Sequence, residues 1–220
     1  EEVPNWITDM SASGAESFYK FEDGKKKFYD VNSKKYINVP SSENHYILDA
    51  FRENKQILRN PECTVHDIGD GVMCIEFQTK GNSIGEGIAK GINEAIDIAE
   101  RDGWNGIVIG NNDKQFSVGA NLMNMGMMAM QKNFDEIEKF LVGFQKILMR
   151  MRTCNVPVVS ATHGFVMGGG LEVSIHCDAG IHASESYIGL VEAGVGLIPG
   201  GGGTKEMAMR ASDSFNSGDV

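Results

Sequence analysis

Short apolar runs alternate with longer amphipathic segments through the middle of the chain, and this alternation limits the fold more than any other feature. Strands are predicted at 71–77, 106–110, 156–164 and 179–184, and long helices at 85–103 and 134–153. Gly103 follows the first helical segment, as expected of a helix end. Helices of crossover length between strands favour a parallel sheet, so the sequence predicts an α/β fold.

The first 60 residues have a different character. The stretch "FYKFEDGKKKFYDVNSKKYINVP" is rich in lysine and aromatic residues and contains Asp-Gly and Asn-Ser turn signals. We expect short strands and turns there, followed by a short helix over 48–60. We interpret 1–60 as an N-terminal connecting segment and 61–220 as the main domain.

Composition excludes several functional classes. With 30 acidic and 20 basic side chains the formal charge is -10, which argues against a nucleic-acid partner. No run is long enough to predict a membrane span, and the first residues do not resemble a signal peptide. The chain begins without Met, as a processed product or a piece of a longer polypeptide would. Its four cysteines lack a C-x-x-C spacing, which predicts reduced, mostly buried thiols in a cytoplasmic protein.

Two glycine-rich stretches invite a nucleotide-binding interpretation, which their spacing does not support. The stretches starting at Gly168 and Gly194 each begin G-x-G, but Val173 and Pro199 stand where a dinucleotide fingerprint needs its third glycine. In "GGGGTKE" the threonine precedes the lysine, the reverse of a phosphate-binding loop. The glycines therefore need another reason.

The stretch "VMGGGLE" lies where a strand is expected to lead into a helix. Free N–H groups at a helix start favour negative charge, and Gly169 can bring its N–H close to a ligand oxygen. Glu172 falls in the first turn, and helical side chains lean back toward the N-terminus. A donor for an oxyanion and a carboxylate are thus expected at one place, which suits proton transfer next to a carbonyl.

Two further segments could complete such a site. In "QFSVGANL" the N–H of Val118, beside Gly119, is a candidate second donor, although the segment also reads as a simple turn at a strand exit. Glu192, among apolar residues, is a candidate acid with a pKa raised by desolvation, or alternatively a partly exposed loop residue.

Together, "FSVGANL", "HGFVMGGGLEVSIHCD" and "GLVEAGVGLIPGGGGT" resemble the enoyl-CoA hydratase/isomerase (crotonase) superfamily over roughly two thirds of the chain. The resemblance implies a spiral of repeated ββα units, here with the C-terminal helical part truncated. Residues 1–60 extend the resemblance to the hydratase portion of bifunctional proteins in which a 3-hydroxyacyl-CoA dehydrogenase precedes the hydratase. The family also implies a homo-oligomer, a trimer in full-length form.

The resemblance implies a role for each site residue. Val118 and Gly169 would form the oxyanion hole of an enoyl-CoA hydratase of fatty-acid β-oxidation. Glu172 would activate water and Glu192 would protonate the α-carbon. The substrate would carry coenzyme A, with no separately bound cofactor and no metal. CoA and substrate contacts are assigned to Lys80, Ala120, Asn121, Leu122, Gly168, Pro199 and Gly200.

Several alternatives stay open. Lys80 would either approach a CoA phosphate or be a solvated surface lysine. Five methionines would line an acyl pocket that favours medium or long chains, or pack as ordinary core: Met123, Met125, Met127, Met128 and Met130. His163, His176 and His182 lack a metal-ligand spacing and are expected in core or helix-face positions. An enoyl-CoA isomerase and a non-catalytic acyl-CoA-binding module remain the other candidate functions.

Overall fold

The computed structural model describes residues 2–22, 25–40, 45–51 and 55–215. The chain divides into two compact units, Glu1–Gln56 and Ile57–Val220. The predicted boundary at 60/61 falls four residues later, inside the hairpin that opens the second unit.

The first unit contains one helix and a three-stranded antiparallel sheet of order β1-β2-β3. Its elements are α1 (Asn5–Ala12), β1 (Tyr19–Glu22), β2 (Lys25–Asp30) and β3 (Lys35–Asn38). Tyr29 is buried with Met10 and Ala15. The Asp30 carboxylate accepts the amides of Asn32 and Ser33, so the predicted Asn-Ser turn is confirmed. The Asp-Gly turn lies outside the described residues.

The helix predicted over 48–60 is wrong. The structure has one 3-10 turn, Leu48–Phe51, and a strand, β4 (Gln56–Arg59); 52–54 lie outside the described residues. The Asn60 side chain accepts the amides of Glu62 and Cys63, at 2.8 and 2.9 Å, and so reverses the chain. This turn brings β4 to the edge of the main sheet, where strand pairing overrides the helical pattern.

The second unit is built on a six-stranded sheet of order β10-β8-β7-β6-β5-β4. Its further strands are β5 (Cys63–Asp67), β6 (Val72–Phe77), β7 (Gly106–Ile109), β8 (Val158–Thr162) and β10 (Ala179–His182). The pairs β6–β7, β7–β8 and β8–β10 are parallel, and β5–β6 is antiparallel. All four predicted strands are confirmed, whereas β5 was not predicted.

Three helices cross between these strands: α2 (Glu86–Asp102), α3 (Leu122–Met130) and α4 (Phe134–Thr153). The two long helices are confirmed, and α2 ends at Gly103, whose φ is 73°. A buried stripe on α2 packs against the sheet: Ile88, Ile92, Ala95, Ile96 and Ala99. The Asn121 side chain caps α3 by accepting the Asn124 amide.

Beyond β8 the chain forms a second layer that holds the glycine motifs. It consists of β9 (Phe165–Met167), α5 (Gly169–Ile175), β11 (Tyr187–Gly189) and α6 (Gly203–Ser214). Strands β9 and β11 pair in parallel. The short helix after the glycines is confirmed, but it begins directly after β9, which was not predicted. None of the described helices combines the length and apolar character that crossing a bilayer requires.

Candidate active site

The start of α5 leaves a backbone donor free. Gly168, with φ 52°, donates its N–H to Gly189 O at 2.9 Å and precedes the first helical residue, Gly169. Among the described residues nothing accepts the Gly169 N–H. First-turn amides have no acceptor within their own helix, so this donor is available to a ligand.

The loop between β7 and α3 uses all but one of its amides over 117–121. Their acceptors are Phe165 O for Ser117, Gly81 O for Val118, Ser117 Oγ for Gly119 and Ile84 O for Asn121. The Ala120 N–H has no acceptor among the described residues. This loop therefore offers one free donor, and it belongs to Ala120.

The assignment of the second donor to Val118 is corrected by this arrangement. The Val118 N–H lies 3.1 Å from Gly81 O and is committed to that bond. The free amide of "FSVGANL" lies two residues further along, at Ala120, which was first assigned to substrate contact. The sequence did not reveal this, because the acceptor of the Val118 N–H, Gly81 O, is distant in the chain. Gly119 has a left-handed φ of 92° and forms the turn after which the Ala120 amide is free.

The two free amides lie side by side. A Cβ built on Gly169 would lie 3.3 Å from the Ala120 nitrogen. One built on Gly119 would lie 3.1 Å from the Gly169 nitrogen and 2.7 Å from Met167 O. Glycine is thus required at position 119, where a Cβ would clash with Met167 O and the φ of 92° is unfavourable for other residues. Two neighbouring unpaired amides of this kind suit the stabilisation of negative charge on one ligand oxygen.

Glu172 lies one turn into α5 and is almost fully buried, with 2% of its surface exposed. Its Oε1 accepts the Gly203 amide at 2.8 Å. Burial raises the pKa of the Glu172 carboxyl, and the neighbouring charge of Glu192 adds to the rise, whereas amide hydrogen bonds from 201–203 oppose it. A buried carboxyl that keeps amide donors suits a general base.

Glu192 reaches the same place from the 3-10 turn Glu192–Val195. Its Oε1 lies 3.1 Å from a Cβ built on Gly168, the residue before the free Gly169 amide. Its Oε2 is buried and has no hydrogen-bond partner among the described residues. The second carboxylate therefore borders the glycine corner and shares an electrostatic environment with Glu172.

A buried polar cluster lies at the C-terminal end of α5, next to Glu172. His176, at the end of α5, lies 2.7 Å from the Glu172 carbonyl through Nδ1, and since a carbonyl only accepts, Nδ1 carries the hydrogen. Its Nε2 faces Glu206, 3.5 Å away on α6, which also pairs with Arg152 and Lys205. The cluster joins α4, α5 and α6 and so fixes Gly203 against Glu172.

A cavity of about 690 Å³ opens beside the site. Its walls come from α2, α3 and α4 and include Ile84, Asn121, Met125, Met128, Phe140 and Phe144. Ile84 Cδ1 lies 3.6 Å from a Cβ built on Gly169. A Cβ on Gly201 would lie 2.6 Å from Phe144 and 2.5 Å from Glu172 Oε2. Two residues of the cavity wall, Ile84 and Phe144, thus also border the glycines next to the donor pair and the base.

The family model "Enoyl-CoA hydratase/isomerase" matches residues 67–215. The chain belongs to this family. A Bacillus subtilis protein named "Probable 3-hydroxyacyl-CoA dehydrogenase" is 39% identical over 98% of the chain. The short-chain-enoyl-CoA hydratase of Clostridium acetobutylicum is 35% identical over 46% of it. The chain spans only 28% and 38% of these two relatives.

Solved structures of the family confirm the crotonase fold. The crystal structure of an enoyl-CoA hydratase from Polaromonas sp. JS666 matches with a TM-score of 0.64 at 23% identity. The match covers 67% of this chain and 58% of that one. The α/β architecture expected from the strand and helix pattern is therefore the hydratase/isomerase fold.

The residues assigned to CoA and substrate lie at different depths. Asn121 lines the cavity, Leu122 and Lys80 are exposed, and Pro199 is half-buried. Gly200 accepts a hydrogen bond from Gln145 on α4 at 2.6 Å. Within the methionine segment Met125 and Met128 line the cavity, whereas the other three methionines are exposed. Their contacts with coenzyme A stay a prediction.

The histidines and cysteines take structural positions. His176 is buried at the end of α5, as expected, but His182 is exposed on β10 and His163 is half-buried between β8 and β9, so neither takes a core or helix-face position. His163 bonds the Asp113 carbonyl, and His182 bonds Thr162 Oγ1. Within the described parts of the chain no group of three or more His, Cys, Asp or Glu is arranged to hold a metal ion. All four cysteines are free, as expected: Cys63, Cys74, Cys154 and Cys177.

Proposed function

We propose that the chain is an enoyl-CoA hydratase domain that adds water across the 2,3 double bond of a trans-2-enoyl-CoA. The observation that carries the proposal is the pair of free amides, Ala120 and Gly169, beside two glutamates in one buried corner. The family alone leaves hydration and isomerisation open. A second carboxylate is what hydration needs, because water must lose one proton and the α-carbon must gain another.

The reaction follows from charge development on the thioester. When a water oxygen attacks the β-carbon, the π electrons move through the α-carbon onto the thioester oxygen. The Ala120 and Gly169 amides stabilise that negative charge, and loss of one such donor in other enzymes costs about 3–4 kcal/mol. Gly169 is buried and Ala120 is half-buried, and surroundings less polar than water strengthen such hydrogen bonds.

The two glutamates divide the proton transfers. Glu172 receives amide hydrogen bonds that favour its carboxylate, so it takes the proton from the attacking water. Glu192 has an oxygen free of any described hydrogen bond and delivers a proton to the α-carbon. The enolate collapses to the 3-hydroxyacyl thioester, and proton exchange between the glutamates or with solvent restores the starting state.

We also propose that the domain works in fatty-acid β-oxidation within a longer, cytoplasmic polypeptide that carries a 3-hydroxyacyl-CoA dehydrogenase. The relative with that dehydrogenase name matches over nearly the whole chain but is far longer. A dehydrogenase acting on a 3-hydroxyacyl thioester would consume the product of hydration directly. Assembly of the full protein into a trimer remains a prediction from the family.

Hydration of crotonyl-CoA, followed by loss of absorbance of the conjugated thioester, tests the proposed function. We expect turnover that falls at least 100-fold in Glu172→Gln and Glu192→Gln and is unchanged in Glu185→Gln, an exposed control on the same chain. A shift of the double bond in trans-3-hexenoyl-CoA without hydration would establish an isomerase instead. Binding of acyl-CoA with neither reaction would contradict a catalytic role.

A further inference from the structure

Two glycines line the cavity beside the site, Gly85 just before α2 and Gly143 within α4. Helix α4 presents a continuous face to the cavity, and Gly143 lies at its centre, with Phe140 one turn before and Ile147 one turn after. A Cβ built on Gly143 would meet no atom within 4 Å. The glycine therefore leaves open space in the middle of an otherwise complete wall.

This glycine is unfavourable for the helix that contains it. Gly143 is the tenth residue of the 20-residue α4, far from either end, and glycine is among the worst residues for a helix interior. Its φ lies outside the left-handed region, so the backbone does not require glycine. No neighbouring group requires it either, since the position is open. What the missing side chain provides is volume in the cavity.

Charged side chains, among them Lys90, Glu136 and Lys146, line part of the cavity, and the apolar part of the lining indicates what that volume holds. Met125 and Met128 from α3 face Phe140 and Phe144 from α4 across a space of about 690 Å³. Flexible thioether side chains adapt to an apolar occupant, and the volume is within the usual range for small-molecule sites. The wall also includes Ile84, whose Cδ1 lies 3.6 Å from a Cβ built on Gly169, so the cavity begins next to the Gly169 amide.

We propose that Gly143 determines the acyl chain length that the domain accepts, by leaving room for the tail of a medium- or long-chain enoyl thioester. The inference rests on the proposed function, because it assumes that the thioester carbonyl sits at Ala120 and Gly169. A side chain at position 143 would close the cavity beyond the first few carbons. Crotonyl-CoA would still fit, since its short chain ends near the glutamates.

The test compares Gly143→Leu with a matched control, Gly126→Leu. Gly126 is an exposed residue in the interior of α3, its Cβ position is also open, and it lies outside the cavity wall. Burial of one methylene contributes roughly fourfold in binding. Exclusion of two or more methylenes should therefore lower the kcat/KM ratio of trans-2-decenoyl-CoA to crotonyl-CoA at least tenfold in Gly143→Leu. In Gly126→Leu we expect the ratio to stay within twofold. An unchanged ratio in a folded Gly143→Leu protein overturns the proposal.

A binding measurement separates this proposal from the proposed function. Calorimetric titration with decanoyl-CoA and acetyl-CoA needs no turnover, so it is informative even if the protein hydrates nothing. Selective loss of decanoyl-CoA affinity in Gly143→Leu supports the assignment, and equal losses for both thioesters contradict it. Gly143→Met, unbranched and a good helix former, replaces the leucine variant if that variant does not fold.

Discussion

At the residue scale, the site depends on which backbone amides remain unpaired. The loop over 117–121 contains five N–H groups in sequence. Gly81, Ile84, Phe165 and the Ser117 hydroxyl accept four of them, and within the described part of the chain the Ala120 N–H has no acceptor. A side-chain substitution does not remove an amide, so this assignment calls for a change in the backbone itself.

Replacing the amide by an ester distinguishes Ala120 from Val118. We expect an α-hydroxy acid at position 120 to lower kcat by about 10²–10³ with little change in KM, because it removes one oxyanion donor. The same replacement at position 118 removes only a structural bond to Gly81 and should cost about 1 kcal/mol of stability. Steady-state kinetics and thermal melts of both variants check this. A larger loss of kcat at 118 than at 120 would restore the first assignment.

The raised pKa of Glu172 has a consequence for stability. Because burial raises this pKa in the folded state, folding favours the protonated form, and stability falls as pH rises from the unfolded value through the folded one. We expect the Tm of Glu172→Gln to exceed that of the unmutated protein by more at pH 7 than at pH 4. The same substitution should abolish most of the activity. The exposed Glu185→Gln should show no such difference between the two pH values. A Tm difference between Glu172→Gln and the unmutated protein that is larger at pH 4 than at pH 7 would contradict a raised pKa of Glu172.

At the element scale, the site is the junction of α5 with the loop before α3. Most of the elements around it follow local patterns, so β7, α2 and α4 were predictable from apolar spacing alone. Strands β9 and β11 have three residues each and pair with each other across a long stretch of chain, whereas β5 forms a local hairpin with β6. The local pattern of Gln56–Arg59 indicated a helix. The segment is a strand because the Asn60 turn brings it to the edge of the sheet, which the local pattern does not show. The glutamates and glycines were visible in the sequence, whereas the free amide and the Glu206 cluster depend on non-local bonds.

Two adjacent glycines should respond differently to alanine. In Gly170→Ala the new Cβ would lie 2.7 Å from Ser117 Cβ, in a fully buried place, so we expect a loss of about 1–3 kcal/mol in the free energy of unfolding. In Gly169→Ala the tightest contact is 3.3 Å, to the Ala120 nitrogen, so the fold should persist while the methyl group obstructs the donor pair. Denaturant unfolding and hydration kinetics measure the two effects. Equal stability of both variants would be evidence against this packing.

At the scale of the whole molecule, the second unit forms one apolar core between its sheet and helices. Cys63, Cys74 and Cys177 are buried in the described structure, and burial raises their pKa values to about 11, 12 and 12, respectively. Cys154 is half-buried, with a pKa also raised by burial. The thiols therefore report on the integrity of the fold.

Thiol labelling at pH 8 should register global unfolding. We expect the native protein to react slowly with a disulfide reagent, Cys154 first, because buried thiols are protonated and inaccessible. All four cysteines should react rapidly in denaturant. Mass spectrometry of partly labelled protein identifies the order. Rapid labelling of Cys74 in the native protein would indicate a sheet that opens far more readily than this packing allows.

The most direct test of the oxyanion site is the carbonyl stretching frequency of a bound unsaturated thioester, labelled with ¹³C at the carbonyl and read by difference infrared spectroscopy. Two converging amides polarise the C=O bond, so we predict a frequency below that of the same thioester in water. The shift should persist in Glu172→Gln, which keeps both donors, and shrink in the ester variant at position 120. A frequency equal to that in water would contradict the paired donors on which the proposed hydration depends.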